Sequence, residues 1–219
     1  MKHDCFDIVV IGAGVIGYSI AFRLKQDRPE LSIAILGDPV NSLMASRAAA
    51  GMLAPFGECA IADVFFDFCR ESLLKYPCFI ENLMGVSEMP VYLSMVGSLM
   101  PSSSFEGDWE ERLRFFREEK IPHELWTSKQ CRQLAPAISE TCGEVVWVGE
   151  GQVNNREMHD ALVVASRKIG IEALENNVTG FLYDSSSIEA VVTEIREIRG
   201  QKFILASGSW SSKLGDILN

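Results

Sequence analysis

An apolar run that breaks into regularly spaced glycines constrains the fold of this chain more than any other feature. From Asp7 to Gly17 the sequence reads Asp-Ile-Val-Val-Ile-Gly-Ala-Gly-Val-Ile-Gly, and an apolar helical pattern continues to Leu24. The pattern predicts a strand, a tight turn and a helix, with Gly12, Gly14 and Gly17 in the spacing typical of dinucleotide sites. In such sites the first glycine allows the turn, the second lets a pyrophosphate approach the backbone, and the third brings the helix close to the strand.

Glycine spacing alone is a weak signal, and a glycine-rich structural turn is the alternative. The context favours a dinucleotide site, because Ile8 to Ile11 suit a buried parallel strand. The helix carries apolar residues at Ile16, Ile20 and Leu24, and its amino terminus would offer N–H groups and the positive end of its dipole to phosphates. The predicted cofactor loop consists of Gly12, Ala13, Gly14, Val15, Ile16 and Gly17.

The charge composition limits the classes of binding partner that are expected. The 219 residues carry 30 acidic and 20 basic side chains, a formal net charge of −10. Nucleic acid and anionic membranes require clustered Lys and Arg, so both are disfavoured as partners. Acidic residues before the first apolar run argue against a signal peptide, and no uncharged apolar run reaches membrane-spanning length. A cytoplasmic protein with a large globular core is therefore expected.

The sequence gives no support for a metal site or for a redox-active pair of cysteines. The six cysteines include no C-x-x-C pair, which favours buried thiols over metal ligands or a redox pair. The acidic residues between Glu106 and Glu119 are predicted to form a solvated helix face rather than a metal site. His123 and His159 have no carboxylate or cysteine at ligand spacing, so surface or capping roles are expected. No metal site is predicted, and no general base is identified.

The second strand of the unit is predicted from Leu31 to Leu36, which completes a βαβ unit. An acidic side chain at the end of such a strand normally binds the ribose hydroxyls. Here Gly37 follows the strand directly and Asp38 comes one place later. Asp38 is therefore either the ribose ligand on a shifted loop or an ordinary turn residue beside Pro39, with backbone making the ribose contact.

A run of small residues follows, from Ser46 to Pro55, and reads Ser-Arg-Ala-Ala-Ala-Gly-Met-Leu-Ala-Pro. Small side chains let the backbone approach a flat or charged group. A close helix-packing surface of alanines is the alternative. Together with the glycine loop and Glu58 just beyond it, this run resembles the FAD-dependent D-amino-acid oxidase superfamily, most closely its glycine oxidase branch of the thiamine pathway. The resemblance places Ser46 and Arg47 near the FAD phosphates or ribityl chain, and the isoalloxazine ring against Ala49, Ala50, Gly51 and Met52.

Two later segments extend the resemblance. Gly151 to Arg156 is similar to the family segment G-x-V-[DN]-P-R, where the chain returns from the substrate domain to the FAD domain, although Asn155 replaces the proline and loosens the turn. Lys202 to Ser211 resembles the family's second dinucleotide signature, A-A-G-A-W-S, and an ordinary strand end with a turn is the alternative. The cofactor contacts that the resemblance implies here are Val178, near the adenine, and Ser207, Gly208 and Trp210.

The fold class expected is α/β, with a Rossmann-like FAD-binding domain built on a parallel sheet and an inserted, incomplete antiparallel substrate domain. The domains are predicted as 1–85 and 151–219 for FAD binding and 86–150 for the substrate segment. Pro77 would kink or restart a helix whose aromatic residues, Phe65 and Phe66 among them, are predicted to be core. The other predicted elements are helices over Asp63 to Asn82, Asp108 to Glu119, Thr127 to Leu134 and Glu157 to Ile169, and strands over Val91 to Val96, Ser98 to Met100, Glu144 to Val148, Gly170 to Leu174 and Ile188 to Ile195.

Three functions remain open. Members of the family continue beyond the length seen here, so the chain is expected to be an N-terminal portion that lacks the substrate-carboxylate arginine. The first hypothesis is an FAD-dependent oxidase acting with O2 on glycine, another small amino acid or a secondary amine. The second is a catalytically silent split subunit or fragment that needs a complementary chain or forms a homo-oligomer, because missing strands would leave open sheet edges. The third is an NAD-dependent dehydrogenase, which leaves the run from Ser46 to Pro55 unexplained.

Overall fold

A computed structural model describes residues 5–39, 44–139, 141–184 and 187–218. The strands within these ranges are β1 (Cys5–Ile11), β2 (Ile33–Leu36), β3 (Met52–Leu53), β4 (Leu93–Ser94), β5 (Ser98–Pro101), β6 (His123–Trp126), β7 (Val145–Val148), β8 (Gly151–Val153), β9 (Glu172–Leu174), β10 (Val178–Asp184), β11 (Ser187–Thr193) and β12 (Glu197–Leu205). The α-helices are α1 (Val15–Asp27), α2 (Ala45–Ala48), α3 (Pro55–Glu58), α4 (Val64–Ser87), α5 (Trp109–Glu118), α6 (Ser128–Leu134), α7 (Asn155–Lys168) and α8 (Ser211–Leu218).

The chain divides into two compact units. The first unit contains Met1–Ala50, Glu81–Val91 and Asn155–Asn219, and the second contains Gly51–Ile80 and Tyr92–Asn154. This division describes compactness alone, so the predicted assignment of 1–85 and 151–219 to FAD binding and of 86–150 to substrate stays a prediction. None of the described helices combines the length and the hydrophobicity needed to cross a membrane.

The first unit is built on a mixed sheet with the strand order β10-β11-β12-β1-β2-β9. Strands β12, β1, β2 and β9 are parallel, as expected for the predicted fold class, while β10 and β11 add an antiparallel edge. In the register of the parallel strands, Ile11 lies opposite both Leu36 and Leu205, and Leu36 lies opposite Leu174. The carboxyl ends of the four strands therefore form one row, and the loops that follow them start side by side.

Helix α1 packs on this sheet through a different face from the one the sequence suggests. Its buried residues are Gly17, Tyr18, Ala21 and Phe22, whereas Ile16 is 61% exposed. The physical reason is the close approach at Gly17, where a Cβ would overlap the carbonyl oxygen of Gly12. The helix turns Gly17 towards the loop, so the large apolar side chain of the neighbouring Ile16 is exposed to solvent.

The second unit contains two antiparallel three-stranded sheets, β3-β8-β4 and β5-β7-β6. Asp108 caps α5 by accepting from the Glu111 amide at 3.1 Å, and the acidic residues of this helix face solvent as predicted. Thr127 and Gln130 form a capping box at the start of α6. His123 begins β6, where it pairs with Val148 of β7.

Helix α4 also departs from expectation. Pro77 lies inside a continuous helix, so of the two predicted effects it does not restart the helix; of the aromatic residues predicted to be core, Phe66 is buried but Phe65 is 64% exposed. Helical periodicity carries adjacent residues to different faces, so only one of the two can be buried. Among the six free cysteines, Cys131 and Cys142 are buried but Cys5 and Cys78 are exposed, which corrects the prediction that all are buried thiols.

Arg112 and Glu150 hold the short helix α3 from two sides. Arg112, 7% exposed, donates hydrogen bonds to the carbonyl oxygens of Phe56, Gly57 and Cys59. Glu150, 1% exposed, accepts from the Gly57 amide and from the Ser98 hydroxyl, each at 2.6 Å. Burial raises the pKa of Glu150, and these two hydrogen bonds act in the opposite direction. The segment that follows the small-residue run is thus fixed by buried polar groups.

Replacing Gly17 with alanine should destabilise the protein by about 1–3 kcal/mol, because the added Cβ would overlap the Gly12 carbonyl. Gly85→Ala is the matched control, since Gly85 is also helical and a Cβ there meets nothing within 4 Å. The control should be neutral or slightly stabilising. Urea unfolding measures both free energies, and equal stability of the two variants would contradict the close packing at Gly17.

Glu150→Gln tests the buried carboxyl through the pH dependence of stability. A folded-state pKa raised above the unfolded value contributes stability that is complete below the unfolded pKa and is lost as pH rises through the folded pKa. The free energy of unfolding of the wild type, relative to that of Glu150→Gln, should therefore fall as pH rises above about 4, the ordinary pKa of a glutamate. Urea unfolding across this range measures the difference, and a difference that rises with pH would contradict the burial effect.

Candidate cofactor site

The loops after the parallel strands are joined by backbone hydrogen bonds at the carboxyl end of the sheet. The Gly12 amide donates to the Leu36 carbonyl at 2.9 Å, and the Gly37 amide donates to the Leu174 carbonyl at 3.1 Å. Each loop thus continues the ladder of its own strand by one residue before it turns away. The crevice outside the carboxyl ends of parallel strands is where α/β sheets bind ligands.

The loop after β12 approaches the glycine loop more closely than any side chain would permit. The Ala206 amide donates to the Ile11 carbonyl at 2.8 Å, and the Ser207 hydroxyl donates to the same oxygen at 3.0 Å. Gly12 has a φ of +126°, and a Cβ on it would overlap the Ala206 carbonyl. The two segments that the sequence identifies as dinucleotide signatures, Gly12 to Gly17 and Ser207 to Ser211, are therefore in direct contact.

Ser46 lies over the start of α1. Its Oγ accepts a hydrogen bond from the Val15 amide at 3.0 Å, and of the described residues outside the loop itself it is the atom that a Cβ placed on Gly14 would meet, at 3.1 Å. The first helical hydrogen bond of α1 runs from the Tyr18 amide to the Gly14 carbonyl, so the amides of the first turn have no partner within the helix. A glycine without a side chain, first-turn amides without a partner inside the helix and the Ser46 hydroxyl beside them form a cradle that fits a diphosphate.

The segment that carries Ser46 and Arg47 is held by the first turn and a half of α7. The Asn155 amide group donates to the Ser46 carbonyl at 2.6 Å, and the Arg156 Nε donates to the Arg47 carbonyl at 3.0 Å. The Arg47 guanidinium pairs with Asp160 at 2.5 Å. Asn155, which the sequence suggests would loosen a turn, instead supplies a hydrogen bond that proline cannot make. In the sequence, this contact is indicated only by the replacement of the family's proline with Asn155.

Gly37 explains why the acidic residue of the second strand is displaced by one position. Gly37 has a φ of +135°, and a Cβ on it would lie 3.1 Å from both the Cβ and the amide nitrogen of Ala13. A side chain directly after β2 would therefore crowd the glycine loop in this conformation. Asp38 follows and is exposed. Its role as the ribose ligand stays a prediction.

The remaining predicted contacts fall in several places. Ala49 and Ala50 lie beyond the end of α2 and are exposed, so they do not form a helix-packing surface. Gly51, with a φ of +78°, and Met52, 61% exposed, begin the second unit, where β3 pairs with β8. Of the contacts predicted from the later segments, Val178 begins the edge strand β10. Ser207 directly precedes a 3-10 helix that contains Gly208 and Trp210 and leads into α8.

His159 is fully buried, so the surface role expected for it is wrong. It lies on α7 with 0% exposure, and its Nε2 is 2.9 Å from the carbonyl oxygen of Ala13 in the glycine loop. Its ring packs edge-on against Tyr18, with ring centroids 5.6 Å apart. Burial lowers the pKa of His159. Among the described residues, no group of three or more His, Cys, Asp or Glu side chains could hold a metal ion.

The chain is similar to several known proteins. A family profile described as FAD dependent oxidoreductase matches residues 7–218. The bifunctional ThiO/ThiG protein of Synechocystis sp. is 28% identical over 219 residues, an alignment that covers 95% of this chain and 30% of that protein. The glycine oxidase of Geobacillus kaustophilus is 26% identical, with 98% of this chain and 57% of that protein covered.

The crystal structure of the Geobacillus kaustophilus glycine oxidase has a TM-score of 0.87 against this chain, with 25% identity, 98% of this chain covered and 58% of that one. The chain thus spans between about a third and three fifths of the length of these relatives. The match to the family nevertheless extends over nearly all of the chain described here. The chain belongs to the DAO family of FAD-dependent oxidoreductases.

Proposed function

We propose that this chain holds FAD across the carboxyl ends of β1, β2, β9 and β12, and that the whole protein oxidises glycine, another small amino acid or a secondary amine. The observation that carries the proposal is the cradle at the start of α1. There the amides of the glycine loop, the side-chain-free backbone of Gly14 and the Ser46 hydroxyl meet at one helix amino terminus. The names of the similar proteins, which include glycine oxidases, support the substrate class.

The residues divide among the parts of the cofactor. The loop from Gly12 to Gly17 would bind the diphosphate through backbone amides, and Asp38 would bind the ribose. Ser46 and Arg47 would contact the phosphates or the ribityl chain, and Arg47 keeps donors free for this although one nitrogen pairs with Asp160. The contacts proposed for the other groups are Val178 for the adenine, Ala49, Ala50, Gly51 and Met52 for the flavin ring, and Ser207, Gly208 and Trp210 for the second dinucleotide segment.

The chemistry of the proposed reaction is a two-electron oxidation of an amine. When bound, FAD would supply it by accepting a hydride from the amine carbon and passing both electrons to O2, which leaves as hydrogen peroxide. The amine loses a C–H hydride and an N–H proton to become an imine, which water hydrolyses to a 2-oxo acid and ammonia, or to a 2-oxo acid and a primary amine when the substrate is a secondary amine. The part of this chain is to bind and orient the cofactor, and the small residues Ala49, Ala50 and Gly51 would leave the ring face accessible.

Gly14→Ala tests the cradle and the function together. The Cβ would lie 3.1 Å from the Ser46 Oγ and enter the space proposed for the diphosphate, so the Kd for FAD, measured by flavin fluorescence, should rise about ten-fold, a loss of about 1.4 kcal/mol. Gly85→Ala, the helical control, should bind FAD like the wild type. A folded Gly14→Ala variant with unchanged affinity would contradict the proposed diphosphate position.

Peroxide formation from glycine or sarcosine, assayed with FAD present, tests the reaction itself. Peroxide that is lost in the Gly14→Ala variant would support the oxidase. Bound FAD without peroxide would favour a chain that needs a complementary partner, and extraction of NAD in place of FAD from the purified protein would overturn the cofactor assignment.

Asn155→Pro tests whether the attachment to α7 positions Ser46. The change removes the hydrogen bond to the Ser46 carbonyl, and it leaves α7 intact because proline is tolerated at the first position of a helix. A hydrogen bond of this kind contributes about 1 kcal/mol, so the Kd for FAD should rise about five-fold. Asn82→Ala, which removes the hydrogen bond from Gln26 in the same unit, is the control and should leave the Kd unchanged. Equal affinities of the two variants would exclude a positioning role for Asn155.

A further inference from the structure

His159 is a buried polar side chain that the proposed function leaves unexplained. It is 0% exposed, and its Nε2 lies 2.9 Å from the Ala13 carbonyl oxygen, 146 residues away in the sequence. A carbonyl oxygen only accepts hydrogen bonds, so Nε2 carries the proton in this contact. The Nδ1 atom has no hydrogen-bond partner among the described residues. The ring is therefore neutral and serves as a single donor, directed at the glycine loop.

The contact determines the orientation of the peptide group between Ala13 and Gly14. The described part of the chain contains no cis peptide bond, so the carbonyl of Ala13 and the amide of Gly14 point in opposite directions. Because His159 holds the carbonyl on the side of α7, the Gly14 amide points away from α7. Among the described residues no group accepts a hydrogen bond from that amide.

The peptide requires such a restraint because its surroundings do not otherwise prevent rotation. Gly14 has no side chain, and of the described residues outside the loop a Cβ placed there would meet the Ser46 hydroxyl, at 3.1 Å. Ala13 is 5% exposed, so without a donor its carbonyl would be buried unsatisfied and a rotated peptide would become competitive. Rotation would turn the Gly14 amide inward and remove a donor from the cradle.

We infer that His159 is a positioning residue for the cofactor: by donating from Nε2 to the Ala13 carbonyl, it holds the Gly14 amide in the orientation that binds the diphosphate of FAD. The inference rests on the proposed function, because it presumes that the diphosphate binds at this loop. His159 itself touches neither the substrate nor the cofactor. Its effect is transmitted through one backbone peptide.

The test compares His159→Leu with His159→Gln. Leucine fills a similar volume with an apolar side chain and removes the donor, whereas glutamine can place an amide N–H near the position of Nε2. The Kd for FAD and the Kd for ADP, which carries the diphosphate without the flavin, should each rise about ten-fold in His159→Leu and stay within about two-fold of the wild type in His159→Gln. Tyr18→Phe is the matched control in the same ring pair, because the Tyr18 hydroxyl has no partner among the described residues, and it should bind like the wild type.

Thermal unfolding without cofactor separates positioning from packing. A buried side chain that acts only by packing should favour leucine over glutamine in stability and in affinity alike. Positioning predicts instead that the glutamine variant binds FAD and ADP more tightly than the leucine variant, whichever of the two is the more stable. If His159→Leu does not fold, His159→Met, which is flexible and apolar, takes its place. Wild-type affinity in the folded apolar variant would overturn the inference, whereas a wild-type protein that binds neither FAD nor ADP would overturn the proposed function first.

Discussion

The close approach of three backbone segments at the carboxyl end of β1 is the constraint on which the rest of the first unit depends. The Ile11 carbonyl accepts both the Ala206 amide and the Ser207 hydroxyl, and the Gly12 amide reaches across to Leu36. No room remains for a side chain at position 12, because a Cβ would overlap the Ala206 carbonyl. The parallel register ends the strands in one row and so brings the loops this close together. A glycine at position 12 permits the short distance because it has no side chain.

The local part of this arrangement could be predicted from the sequence. A strand, turn and helix are encoded within about twenty consecutive residues, and the roles of Gly12 and Gly17 follow from chain geometry that recurs wherever a helix must start close to a strand. The existence of β9 as a further parallel strand could also be predicted, because it follows a helix in a βαβ pattern. Short strands were harder: β6 and β8 have three or four residues each, too few for an alternating pattern to show.

The side chains that position the candidate site could not be predicted, because they act over long sequence separations. Asn155 meets Ser46 across 109 residues, and His159 meets Ala13 across 146. Periodicity tells which residues share a helix face, but it does not tell which backbone carbonyl that face will meet. His159 stands between Met158 and Asp160, a mixed setting that suits a surface position as well as a buried one. Only the packing of α7 against α1 distinguishes the two.

Helix α7 links the two halves of the proposed diphosphate site through its own rigidity. Asn155 and Arg156 hold the carbonyls at 46 and 47, and one turn later His159 holds the carbonyl of Ala13. Residues four apart on a helix lie on the same face, about 6 Å from each other along the axis, and that spacing cannot vary without breaking the helix. The Ser46 segment and the glycine loop are therefore fixed relative to each other by a third element. A phosphate bridging a loop amide and the Ser46 hydroxyl requires that distance to be constant.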